Sequence, residues 1–224
     1  MGHVLTVNRG SARPDRGGAP GSLTGIDKHA VDGRVDVRAP GARDTGVGSG
    51  LSGDFIGDRV HHGGDAQALY AVPREDLDYW EQALGRSLRS GFFGENLTTV
   101  GIDPNQALLG ERWRVGPDVE LEVTYGRIPC NTFRAQMDQQ GWLKTFTERA
   151  RPGAYLAVRT PGTVGAGDEI EVTFRPDHEV TISLAFQAVT TRHDLLPELI
   201  PARDYLGEKA LDLVTKRGLL QSAR

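Results

Sequence analysis

From residue 3 to residue 174 the chain alternates apolar and polar positions in short runs, broken by glycine-rich stretches. The runs HVLTV (3–7), GRVDVR (33–38), FIGDRV (55–60), QALYAV (67–72), NLTTV (96–100), RWRV (112–115), VELEVTY (119–125), AYLAVR (154–159) and EIEVTF (169–174) have the length and alternation of strands. Many short strands in succession predict a barrel or folded sheet. A helical period interrupts them twice. PREDLDYWEQALG (73–85) starts at Pro73 with acids in its first turn, carries Leu77, Trp80 and Leu84 on one face, and stops at Gly85. NTFRAQMDQQGWLKTFTERA (131–150) reads as short helices broken near Gly141.

Beyond RPDHEV (175–180) the period becomes helical. TISLAFQAV (181–189) has a β-branched start that suits a strand, but Thr181 can cap a helix and two more helices follow, so a helix is expected. DLLPELI (194–200) and DYLGEKALDLVTKRG (204–218) are amphipathic, the latter with Leu206, Ala210, Leu213 and Val214 on one side and Gly218 at its close. The fold class expected is mainly β with flanking helices: a β domain over residues 1–177 and a helical domain over 178–224. Three short helices rarely make a core alone, so they should dock on the β domain or on a second subunit, the latter making a homo-oligomer.

Composition narrows the function classes. With 224 residues, 38% of them hydrophobic, the chain can bury one good core. A net charge of −4 argues against a general nucleic-acid binder. No window is apolar enough to span a membrane, and MGHVLTVNRG lacks the charged start of a secretory signal. The single cysteine, Cys130, excludes an internal disulfide and a four-thiolate iron–sulfur cluster, and a reducing cytoplasm fits best. GSGLSG (48–53) matches the glycine pattern of dinucleotide folds, but no strand-to-helix turn surrounds it, so a plain loop is the better reading.

Three segments carry candidate chemistry. HHGGDAQALY (61–70) runs two histidines into paired glycines before a strand. Neighbouring strand residues face opposite sides, so His61 and His62 do not readily serve one site. GFFGENLTTV (91–100) sets Glu95 and Asn96 after a glycine, where turn chemistry is the ordinary reading. In YGRIPCNTF (125–133), Cys130 follows a proline at a strand-to-helix junction. A lone cysteine is ordinarily a small buried hydrophobe. Here Arg127 and a following helix would favour its thiolate, although Pro129 breaks the alternation and leaves open whether Arg127 faces the sulfur.

Taken in order, TGIDKHAVDGRVDVRAPG, GSGLSGDFIGDRVHHGGDAQALYAVPREDLDYW, FGENLTT, LLGERWRVG and RIPC resemble the MOSC-domain proteins, specifically the stand-alone YiiM type. The resemblance covers nearly the whole chain. It implies a distorted β-barrel with flanking helices and a small C-terminal three-helix domain. It also implies binding of the molybdenum cofactor, with Cys130 as the metal's protein ligand. Lys28 and Arg127 match positions that the family places around the pocket, and His61 or His62, Gly63, Gly64 and Asn96 are further candidates. A soft thiolate suits such a metal, and the pterin phosphate needs cationic or backbone N–H partners.

The activity implied is reduction of N-hydroxylated compounds (hydroxylaminopurines, hydroxylamines, amidoximes) to amines, with His62 as a proton donor and electrons from a separate reductase. A Cys130 persulfide carrier and a non-catalytic cofactor carrier are the alternatives. Two departures from the family pattern stand out. Gly126 replaces a more usual proline, which should loosen the strand end, and Ala66 replaces a more usual acid, which should remove an anchor for the glycine turn.

Overall fold

A computed structural model describes residues 2–220. The strands in chain order are β1 (Gly2–Arg9), β2 (Arg13–Pro14), β3 (Leu23–Thr24), β4 (His29–Ala30), β5 (Val35–Val37), β6 (Leu69–Pro73), β7 (Leu97–Val100), β8 (Arg112–Val115), β9 (Val119–Val123), β10 (Ala154–Thr160), β11 (Gly162–Val164) and β12 (Glu169–Phe174). The helices are α1 (Arg74–Leu84), α2 (Asn131–Met137), α3 (Trp142–Arg149), α4 (Ile182–Thr190) and α5 (Glu208–Lys216). A 3-10 segment, His193–Tyr205, joins the last two.

Seven strands close into a barrel in the order β12-β8-β9-β10-β6-β7-β1, with β1 pairing back onto β12. Only one of these pairings is parallel, β6 with β7. A parallel neighbour requires a crossover, and α1 supplies it, capped at its end by Gly85 in the left-handed region. All five residues of β6 are buried because both of its faces are covered. Leu69 and Ala71 join Val4, Leu97, Trp113, Leu121 and Leu156 in the main core. Tyr70 and Val72 join Leu77, Trp80, Phe93, Phe133, Trp142 and Phe146, which pack α1, α2 and α3 into a second apolar cluster.

The C-terminal helices dock on the β domain. Val180, Ile182, Ala188, Leu196, Leu199 and Val214 belong to the same apolar cluster as the barrel strands. Backbone bonds from Leu109 N–H to Val180 O (3.1 Å) and from Ile182 N–H to Ala107 O (3.0 Å) tie the chain down where α4 begins. Thr181 caps α4 as its sequence suggests, its hydroxyl accepting from Leu184 N–H at 3.2 Å.

Three expected elements differ. Residues 55–60 form no strand, because Asp58 accepts from Val60 N–H (3.0 Å) and folds the chain into a turn. Residues 33–38 supply β5, but it pairs with β11 in a separate two-stranded sheet rather than in the barrel. Residues 194–200 lie within the 3-10 segment, where Pro197 and Pro201 remove the amide donors a regular α-helix would need. Gly126 lies beyond the end of β9 at Val123 and is buried, and a Cβ there would sit 2.5 Å from Pro152 Cγ.

Candidate cofactor-binding site

One cleft gathers Lys28, His62, Gly63, Asn96, Arg127 and Cys130, although up to 102 positions separate them in sequence: Cys130 − Lys28 = 102. Its walls also include Asp15, Phe55, Ile56, Gln67, Tyr70, Thr132 and Tyr155. His61 and Gly64 do not line it. The His61 ring is exposed and lies 2.9 Å from Asp58 Oδ2, and a Cβ on Gly64 would come within 2.9 Å of the Arg43 backbone. The missing acid at Ala66 has a replacement, since Gln67 Oε1 accepts from Gly63 N–H at 3.0 Å and holds the same turn.

Cys130 is the extended residue before α2 and is half-buried. Its carbonyl accepts from Arg134 N–H at 2.9 Å, the first bond of the helix. Burial alone would raise its thiol. A hydrogen bond from His62, the charge of Arg127 and the Phe133 N–H outweigh burial and lower it from the ordinary value to about 6. Arg127 and Cys130 line the same cleft, past the end of β9 at Val123, so the guanidinium is near enough to favour the thiolate.

Arg127 is buried, with its guanidinium 4.2 Å from the Phe133 ring centre and donating to Phe93 O. Its Nε is buried without a partner. The Phe93 carbonyl is available because Glu95, fully buried, accepts from Phe93 N–H (3.1 Å) and the Thr98 hydroxyl (2.9 Å) and also takes Gly91 N–H. Gly94, with φ 83°, lets this loop approach: a Cβ there would lie 3.3 Å from Arg127 Nη1.

Lys28 is buried and paired with Asp54, a residue the sequence reading did not single out. Asp54 also accepts from the Ser49 hydroxyl (2.8 Å), Asn96 Nδ2 (2.9 Å) and Gly10 N–H (2.8 Å). Burial depresses the Lys28 ammonium despite the attraction of Asp54. Asn96 additionally accepts from Tyr70 N–H at 3.2 Å, so it links the Lys28–Asp54 ion pair to β6. Asp54 and Glu95 give no stronger sequence signal than other acids near glycine; only their burial distinguishes them.

The residues present fit an anionic, soft-metal cofactor. Cys130 is the soft donor, Arg127 retains an unused buried N–H, and Lys28 lines the cleft with its ammonium paired to Asp54. Among the described residues no three His, Cys, Asp or Glu side chains converge as a metal site. Any metal here would therefore have fewer than three such protein donors and would find its other ligands in the cofactor.

A MOSC domain matches residues 58–171, more than half of the chain, and this region contains barrel strands β6 to β10 and the Cys130 side of the cleft. The chain belongs to the MOSC-domain family, and YiiM proteins are among the relatives it resembles. It is 29% identical over 139 residues to Escherichia coli YiiM, covering 61% of each chain. It is likewise 29% identical over 135 residues to YflK of Bacillus subtilis, covering 60% of this chain and 61% of that one. A protein of Gibberella moniliformis named Reductase is 29% identical over 180 residues, 78% of this chain but 30% of its own length. The solved YiiM of Geobacillus stearothermophilus superposes with a TM-score of 0.77 at 21% identity, covering 97% of this chain and 99% of that one. Escherichia coli YiiM superposes with a TM-score of 0.71 at 22% identity, covering 98% and 93%.

Proposed function

We propose that this chain binds the molybdenum cofactor through Cys130 and reduces N-hydroxylated compounds, such as hydroxylaminopurines, hydroxylamines or amidoximes, to amines. The observation that carries this reading is the convergence of Cys130, His62, Arg127 and Lys28 on one cleft, where the surroundings also favour the Cys130 thiolate. The relative named Reductase supports a redox role, although the match covers 30% of that protein.

The net reaction is R–NHOH + 2 electrons + 2 protons giving R–NH2 + H2O. The bound cofactor supplies the metal that exchanges two electrons with the N–O bond. Cys130 holds that metal, and the free Arg127 Nε with the Lys28 ammonium takes the anionic part of the cofactor. Phe55, Ile56, Tyr70 and Tyr155 limit water in the cleft. His62, which lines the cleft beside Cys130, is the residue placed to pass a proton to the departing hydroxyl oxygen. Electrons come from a separate reductase, and the reducing cytoplasm suits that supply.

The same activated thiolate favours one second reading, a Cys130 persulfide that carries sulfur. Elemental and pterin analysis of protein from a cofactor-competent host separates the two. The reductase reading expects about one molybdenum and one pterin per chain, and turnover of hydroxylamine with a chemical reductant. Cyanide-releasable sulfur on Cys130 without molybdenum would replace it with the carrier reading.

A further inference from the structure

Two tyrosines stand side by side on the wall of the cleft, and the fold uses only one of their hydroxyls. Tyr70 of β6 and Tyr155 of β10 are paired across the sheet, with ring centres 5.0 Å apart. The Tyr70 hydroxyl donates to Pro152 O at 2.6 Å. The Tyr155 hydroxyl bonds to none of the described residues, although its ring is also fixed by Tyr125, 5.6 Å away. Nor is that oxygen sealed from solvent without a partner, as Arg127 Nε is, so it opens into the cleft that the residue lines. Arg127 and Cys130 are close enough for their charges to act on it. Burial pushes the phenol up to about 12 against the pull of Arg127, so it stays protonated and can donate.

Phenylalanine would fill the same space, and a hydroxyl that a bound ligand covers without pairing costs free energy. A ligand of this cleft therefore brings a hydrogen-bonding atom to that point. The anionic part of the cofactor is met by Arg127 and Lys28, whereas the group to be met beside Cys130, where the metal is held, is the N–OH of the substrate. We infer that the Tyr155 hydroxyl donates to the oxygen of the substrate's N–OH group and so distinguishes substrate from product. This rests on the reductase reading above. The product has lost that oxygen as water and has no acceptor at the same place, so the site holds the N-hydroxylated form and releases the reduced one. Tyr155 orients the oxygen, and His62 remains the residue that protonates it.

The test compares wild type and Tyr155→Phe as cofactor-loaded proteins, with benzamidoxime as substrate, benzamidine as its product and reduced methyl viologen as electron source. The variant loses one oxygen that the fold does not use, so its melting temperature and its molybdenum and pterin content should match wild type. Calorimetry without reductant reads binding alone: benzamidoxime should bind about tenfold more weakly to the variant, and benzamidine equally to both. KM for benzamidoxime should rise by a similar factor, while inhibition by benzamidine stays the same. A general distortion of the cleft would instead weaken substrate and product together. Equal benzamidoxime affinity in the two proteins, a parallel loss for benzamidine, or a lower cofactor content in the variant would overturn the inference, the last by assigning Tyr155 to the cofactor. Absence of viologen-driven turnover in wild type would overturn the reductase reading, and this inference with it.

Discussion

Asp54 collects Lys28, Ser49, Asn96 and the Gly10 amide on one fully buried carboxylate. Removing the ammonium would leave that charge buried without its counter-ion. Lys28→Ala should therefore cost about 3–5 kcal/mol of stability, read from the urea midpoint, while Lys28→Met with Asp54→Leu recovers much of it. A loss below about 1 kcal/mol in the single variant would mean that the pair is solvated. Cys130 makes a different prediction, for the cofactor-free protein. A folded thiol lowered to about 6 is mostly thiolate at pH 7, so alkylation by iodoacetamide should reach half its maximal rate near pH 6. His62→Ala should move that profile to higher pH. A wild-type profile still rising above pH 8 would contradict the His62 and Arg127 contacts.

Strand and helix limits were most legible where one local rule acted alone. RWRV and EIEVTF alternate without a competing turn signal and became β8 and β12 at the expected residues. FIGDRV alternates as well, but Asp58 closes a turn and Gly57 packs so tightly that a Cβ would sit 1.8 Å from Leu23 O. Such a contact is made between distant segments, and no local period reports it. The site shows the same division: its segments could be named, but the choice of His62 over His61 depends on that turn. At the junction of barrel and C-terminal helices, Gly110 has φ 81° and faces Tyr205, whose ring a Cβ would meet at 2.2 Å. Gly110→Ala should cost at least about 2 kcal/mol through backbone strain and displacement of the ring. A melting temperature equal to wild type would show that the 3-10 segment is not held there.

At the scale of the molecule, barrel closure brings distant segments to one cleft, and the C-terminal helices complete the same core. Truncation before Glu179 would expose the surfaces that cover Ile182, Leu196 and Leu199, so the shortened chain should aggregate. A soluble, folded 1–178 fragment would instead make the helices an independent unit. The central claim is that Cys130 holds the cofactor's metal. X-ray absorption at the molybdenum edge tests this most directly in wild type and Cys130→Ser, each normalised to bound metal. The account predicts one fewer sulfur neighbour of molybdenum in the serine variant; an identical sulfur count in the two proteins would contradict it.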